Sequence, residues 1–162
     1  MNTSILSQNT ELIKSFSGSK ITQVKRQVFK GDMDLKDFEQ MADGPIEIKL
    51  DDDRVIYFSA ITEIDSIGIN CCHMKKYGEN YLTRDVSNNQ FWKNRIGRAI
   101  KSVILLQSKY AYKTNLIEYG IEFALDGKLF FVIEYVNKEG MPDTLRVVEN
   151  HSDTACVRIK VF

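Results

Sequence analysis

The sequence predicts an α+β domain, mainly antiparallel β, made of two duplicated helix-plus-four-strand units packed with pseudo-two-fold symmetry. Three observations lead there. Blocks of sequence recur in the same order 75 to 79 residues apart. Each block opens on a short amphipathic segment closed by glycine and continues into β-rich runs. No glycine-rich strand-to-helix turn of the P-loop or dinucleotide-binding kind occurs. The expected organisation is a single domain over 1–162, with repeats over about 5–72 and 84–150 and a C-terminal strand over 155–162.

In the first repeat, Asn9 or Thr10 caps a helix through Phe16, with Leu12, Ile13 and Phe16 on one side. Gly18 suits the position after the helix, where the left-handed conformation is needed. Residues 88–103 repeat this at an offset of 79: Ser87 or Asn88 caps, Phe91, Trp92 and Ile96 form the apolar face, and Gly97 closes. Strands follow near 20–30 and 99–108, where Val103-Ile104-Leu105-Leu106 reads as buried on both faces. Further on, IEIKLD (46–51) matches IEFALD (121–126), and Arg54 to Tyr57 matches Lys128 to Phe131.

Asp126-Gly127 between two apolar runs is a strong hairpin signal, because both central residues need positive φ. Asp51-Asp52-Asp53 stands in the same place of the first repeat and reads as a loop one residue longer, with an Asp in the left-handed region. Fourth strands are expected near 65–71 and 143–149, where Asp65-Ser66-Ile67-Gly68-Ile69 matches Asp143 to Val147. Residues 73–86 are polar and turn-rich and read as the link between repeats. Pro45 and Pro142 each precede a strand, as suits a mainly β domain.

Composition bounds function more than it names it. The 162 residues are 43% hydrophobic, and 22 acidic residues cancel 22 basic ones, which excludes a generally basic nucleic-acid binder and a disordered acidic chain. No apolar run reaches the roughly 18–20 residues of a membrane span. The first residues carry neither a basic head nor an apolar stretch of signal type. Three cysteines, two of them adjacent, make a poor disulfide framework, so a cytoplasmic location is expected.

Catalytic chemistry finds little support. Cys71 and Cys72, with His73, His151 and Cys156, offer soft ligands, yet adjacent strand residues point to opposite faces and cannot easily share one ion. These thiols are expected to be structural, with no metal or cofactor. Glu47 and Glu122 stand at equivalent positions, which argues for a repeated cross-strand partnership with Lys or Arg over acid–base catalysis. The chain therefore reads as non-enzymatic.

Charge distribution says more. From Asp32 to Asp65 eleven acids face three bases, whereas Val86 to Ile117 holds six bases and no acid. Between its first two strands the first repeat carries GDMDLKDFEQMADG, where Asp34 caps a short helix with Leu35, Phe38 and Ala42 inward and Asp37, Glu39 and Gln40 outward. The second carries tyrosines there instead, including Tyr110 and Tyr112. Where duplicated units differ, function is expected. Rigid aromatics beside steering charges are the chemistry of an interface.

The paired segments Gly18-x-x-Ile21-x-x-Val24 and Gly97-x-x-Ile100-x-x-Val103, with the hairpins IEIKLDDDRVIYF and IEFALDGKLFFV, give a chain that resembles the small cytosolic immunity proteins of bacterial contact-dependent inhibition and polymorphic toxin systems. The resemblance covers most of the chain and is one of style. It implies a non-enzymatic inhibitor whose partner is one cognate toxin domain, such as a basic nuclease. On that reading Asp32, Asp34, Asp37, Glu39 and the Asp51, Asp52, Asp53 loop form the toxin-binding acidic contact, with Tyr57, Tyr110 and Tyr112 as aromatic anchors. The alternative is a small β-rich module that binds another protein or ligand, with Tyr110, Tyr112 and Lys113 lining a groove.

Overall fold

β-branched and aromatic residues form strands that pair antiparallel throughout two six-stranded sheets. The computed structural model describes residues 4–33, 40–108, 117–138, 141–150 and 156–162. In chain order the elements are β1 (Ser4–Ile5), α1 (Thr10–Lys14), β2 (Ile21–Phe29), β3 (Met41–Ala42), β4 (Ile46–Leu50), β5 (Val55–Ile61) and β6 (Ser66–Asn70). There follow β7 (Tyr81–Asp85), β8 (Ile100–Gln107), β9 (Glu118–Leu125), β10 (Leu129–Lys138), β11 (Met141–Val148) and β12 (Val157–Lys160). The first sheet runs β1-β6-β5-β4-β2-β7 and the second β3-β11-β10-β9-β8-β12. The fold is α+β, dominated by these sheets, with one short α-helix among the described residues.

The apolar faces of the sheets share one core. Ile48, Ile56, Phe58 and Ile69 of the first meet Val103, Ile121, Phe123, Phe131 and Ile133 of the second in a continuous buried cluster. Phe58 and Phe123 touch edge to face at 6.0 Å between ring centroids, and Phe131 stacks on Phe123 at 4.6 Å. α1 and the turn at Trp92 close the cluster with Ile13, Phe16 and Trp92.

The sheets are stitched where β2 and β8 begin. Gly18 N donates to Ile100 O (2.9 Å) and Gly97 N to Ile21 O (2.7 Å); Ile21 N donates to Arg98 O (3.2 Å) and Ile100 N to Ser19 O (2.9 Å). Lys20 and Ala99 bridge between them. Each bond has its counterpart 79 residues on. Gly18 and Gly97 take φ of +80° and +79°, the left-handed region expected of them.

Several expectations require correction. A helix-plus-four-strand unit is not cleanly repeated, because residues 88–97 form hydrogen-bonded turns and no second helix. Asn89, not Ser87 or Asn88, caps them, its Oδ1 accepting from Trp92 N at 2.9 Å. The Phe91 carbonyl, which a helix would offer to Arg95 N, accepts from the Arg95 guanidinium (2.5 Å), and Arg95 N turns to Trp92 O (2.7 Å). The two hairpin loops are equal in length: Leu50 N donates to Arg54 O, and Leu125 pairs with Leu129. Asp53 at φ +66° fulfils the left-handed expectation, while Asp126-Gly127 belongs to a three-residue turn with Gly127 at +73° and Lys128 at +61°. Asp51 N and Asp126 N are drawn to Lys20 O and Ala99 O, so the first loop residue serves the stitch and the turn needs one more.

Three short strands were not foreseen. β7 forms inside the supposed link and pairs with β2. β1 lies on β6. Ala42 lies on β3, paired with Leu145 of the second sheet, and not on a helix. Arg26, fully buried on the inner side of β2, anchors this crossing. Its Nη2 donates to Ala42 O at 2.8 Å and to Leu145 O. Burial lowers the Arg26 pKa to about 9, opposed in part by Asp43.

Candidate functional site

The side chains with binding chemistry gather on the outer face of the first sheet. On β5 inward Ile56 and Phe58 alternate with outward Tyr57 and Ser59. After β6 the chain turns at Cys71 and crosses that face to reach β7. Two buried polar side chains hold it there. Glu47 Oε2 accepts from Met74 N (2.8 Å); Gln27 donates to Lys75 O (2.7 Å) and accepts from Tyr77 N (2.6 Å). Fixing the backbone on both sides of Lys76 leaves Lys75, Lys76 and Tyr77 exposed at the rim of a cavity of about 280 Å³, shared with Pro45, Tyr57 and Ser59.

Among the described residues the lining supplies ammonium and hydroxyl donors and no carboxylate. Burial, with a smaller push from Cys72, raises the Tyr57 pKa, so its hydroxyl stays a donor at neutral pH. Tyr77 is 55% exposed and continues the surface outward. Its ring meets Tyr81 edge-on at 4.9 Å, and Tyr81 meets Phe29 at 5.7 Å. The Tyr81 hydroxyl donates to Asp43, which fixes the middle ring. Burial first, then that bond, holds the Tyr81 pKa far above its ordinary value.

Of the residues expected to bind a partner, Tyr57 enters this cavity and half-buried Asp32 lies in the turn after β2, close enough to Tyr81 to help raise its pKa. Asp51, Asp52 and Asp53 lie at the β4–β5 loop, beside the other end of β2. Ile21 to Phe29 is eight residue steps, about 26 Å of strand, so these acids and Asp32 do not form one patch. The loop acids also have local work. Asp51 Oδ1 accepts from Lys20 N (2.9 Å), Asp52 accepts from Arg54 Nε (2.7 Å), and Asp53 pairs with Lys49 (2.8 Å). The Arg54 bond holds the Asp52 carboxyl below its usual range. Asp34, Asp37, Glu39, Tyr110, Tyr112 and Lys113 lie outside the described residues, as does His151.

Glu47 and Glu122 each meet a base. Glu47 stands opposite Lys25 in the β2–β4 register, 4.0 Å from its Nζ, and Glu122 binds Arg158 at 2.6 Å. Cys71 is exposed, Cys72 half-buried, and Cys156 buried in a small cluster with Leu106 and Val132. Among the described residues no three His, Cys, Asp or Glu side chains come together to hold a metal ion, and no helix is long and apolar enough to cross a membrane. Sequence reasoning missed Lys75, Lys76 and Tyr77; an aromatic residue between two lysines and a glycine was the one local signal. No family model, curated protein or solved structure matches the chain.

Proposed function

We propose that the protein is a small β-rich binding module that docks an acidic segment of a partner protein on the outer face of its first sheet. The observation that carries this is the Tyr77 surface: three contacting aromatic rings run into a cavity lined, among the described residues, by two lysines, hydroxyl donors and no acid. Aromatic rings give large contact area for little ordering entropy, and lysines steer an acidic approach. The matching strand orders of the two sheets and the paired bonds at Gly18 and Gly97 support origin by duplication.

A second reading, neutralisation of a basic toxin domain in the cytoplasm, draws on one observation: the Asp51–Asp53 loop is exposed, with the Asp53 side chain 88% open to solvent. One experiment separates the two. The wild-type chain, a Tyr77→Ala/Lys75→Glu/Lys76→Glu variant and an Asp53→Lys variant serve as baits in parallel, and bound proteins are identified by mass spectrometry. Lysine is tolerated at the loop position, since Lys128 holds the equivalent place at φ +61°. An acidic partner lost only with the Tyr77 variant supports the module. A basic partner lost only with Asp53→Lys supports neutralisation and refutes the module.

A further inference from the structure

The turn at 88–97 borders a second cavity of about 530 Å³, within the range of small-molecule pockets, among Gln40, Gln90, Lys93, Asn94, Arg95 and Glu149. Arg95 is its built element. The side chain is 5% exposed, and its guanidinium lies 4.0 Å from the centroid of the Phe91 ring. Bonds to Phe130 O (3.0 Å) and Phe91 O (2.5 Å) fix the plane, while Nη2 donates to Glu149 Oε1 at 3.0 Å. A guanidinium has five N–H donors, and these bonds use three. The Glu149 side chain is 69% exposed, so this carboxylate can swing into solvent when another anion takes its place.

The first half of the chain explains why the space is open. The residue 79 positions before Arg95 is Phe16, and the one 75 before Leu129 is Arg54. Arg54 lies over Phe16 at 5.8 Å and donates to Ser15 O (2.9 Å), Ser15 Oγ (2.5 Å) and Ser19 Oγ (3.0 Å), filling its own site. In the second half cation and apolar residue have changed places. Leu129 lines the cavity and is too short to plug it.

We infer that this cavity binds a small polar molecule through an oxyanion, a carboxylate or a phosphate ester, which takes the place of Glu149 on Arg95 with Lys93 as second cation. A planar guanidinium held on an aromatic ring suits bidentate oxyanion recognition. Gln40, Gln90 and Asn94 would meet the polar body of the ligand.

Trp92, the chain's one tryptophan, sits between the Phe91 ring (5.1 Å) and the Phe131 ring (5.0 Å) and reports on this turn. Citrate and inorganic phosphate are titrated separately against the purified full chain, with chloride at matched ionic strength as control, and Trp92 fluorescence is followed. Arg95 stays intact because its carbonyl bonds serve the fold. The expected result is a saturable change with at least one oxyanion. Glu149→Gln should tighten it about fivefold by removing the resident carboxylate, and Lys93→Gln should weaken it several-fold. Response to phosphate alone assigns a phosphate ester, and to citrate alone a carboxylate. No saturable change beyond chloride, or the two variants failing to move affinity in opposite directions, overturns the assignment.

Discussion

Gly18 and Gly97 hold the stitch between the sheets, and alanine at either isolates one physical cost. A Cβ built at Gly18 or at Gly97 meets nothing within 4 Å, so the penalty is the backbone's alone. An L-residue in the left-handed region loses roughly 1–2 kcal/mol, of which alanine recovers about 0.4–1 through a less free unfolded chain. Each variant should therefore lose about 1 kcal/mol. Gly44 is the contrast. A Cβ there would lie 2.2 Å from Gln27 O, a strand backbone atom that cannot yield cheaply. Overpacking of that kind costs about 3 kcal/mol. The assay is equilibrium urea unfolding. With a slope of about 2 kcal/mol per molar, Gly18→Ala and Gly97→Ala should each lower the midpoint by about 0.5 M, and Gly44→Ala by about 1.5 M. A Gly18→Ala loss as large as that of Gly44→Ala, or a gap above about 1 kcal/mol between Gly18→Ala and Gly97→Ala, would refute the reasoning that the two glycines do the same job.

Other expectations concern pH and the core. Burial works against the Asp85 carboxylate, but bonds from Ser87 and Gln23 prevail and hold its pKa below the ordinary value, as the Arg54 bond does for Asp52. A depressed carboxyl pKa stabilises the fold above the unfolded value near 3.9 and loses that contribution as pH falls through the folded value. Urea midpoints should fall between pH 5 and pH 3, less steeply in Asp85→Asn. At the alkaline end, burial and carboxylate partners raise Tyr81 and Tyr135, whose hydroxyl lies 2.6 Å from Asp143 Oδ1 and 3.2 Å from Asp65 Oδ1. Their contribution is complete below about pH 10 and lost as pH rises through the folded values. Ultraviolet titration should show Tyr81 and Tyr135 ionising only with unfolding, an amplitude that Tyr81→Phe and Tyr135→Phe each reduce. Phe58→Ala removes an aromatic ring shared by both sheets and should cost about 3–5 kcal/mol by the same urea assay.

The legible parts of this fold were those fixed by local chemistry. Alternating apolar residues placed the long strands within a residue or two, and Gly18, Gly97 and one Asp of the Asp51–Asp53 loop marked positive φ because few other residues tolerate it. The tertiary choices were not legible. Whether Phe91 O accepts from a backbone amide or from the Arg95 guanidinium decides helix against turn, and both donors belong to the same residue. β7 is a polar run, Tyr81-Leu82-Thr83-Arg84-Asp85, that becomes a strand because β2 offers it an open edge. Arg26 reads as one more surface base until β3 and β11 each bring a carbonyl to it. Tyr57 was anticipated at the site for its aromatic area, whereas Lys75, Lys76 and Tyr77 matter because Glu47 and Gln27, far away in sequence, hold their backbone against the sheet.

Hydrogen exchange of the chain with and without its captured partner tests the central claim most directly. Docking on the Tyr77 surface predicts slowed exchange across residues 73–81 and along β5, with the loop at Asp51–Asp53 unchanged. Protection confined to that loop, or none at residues 73–81, would contradict it.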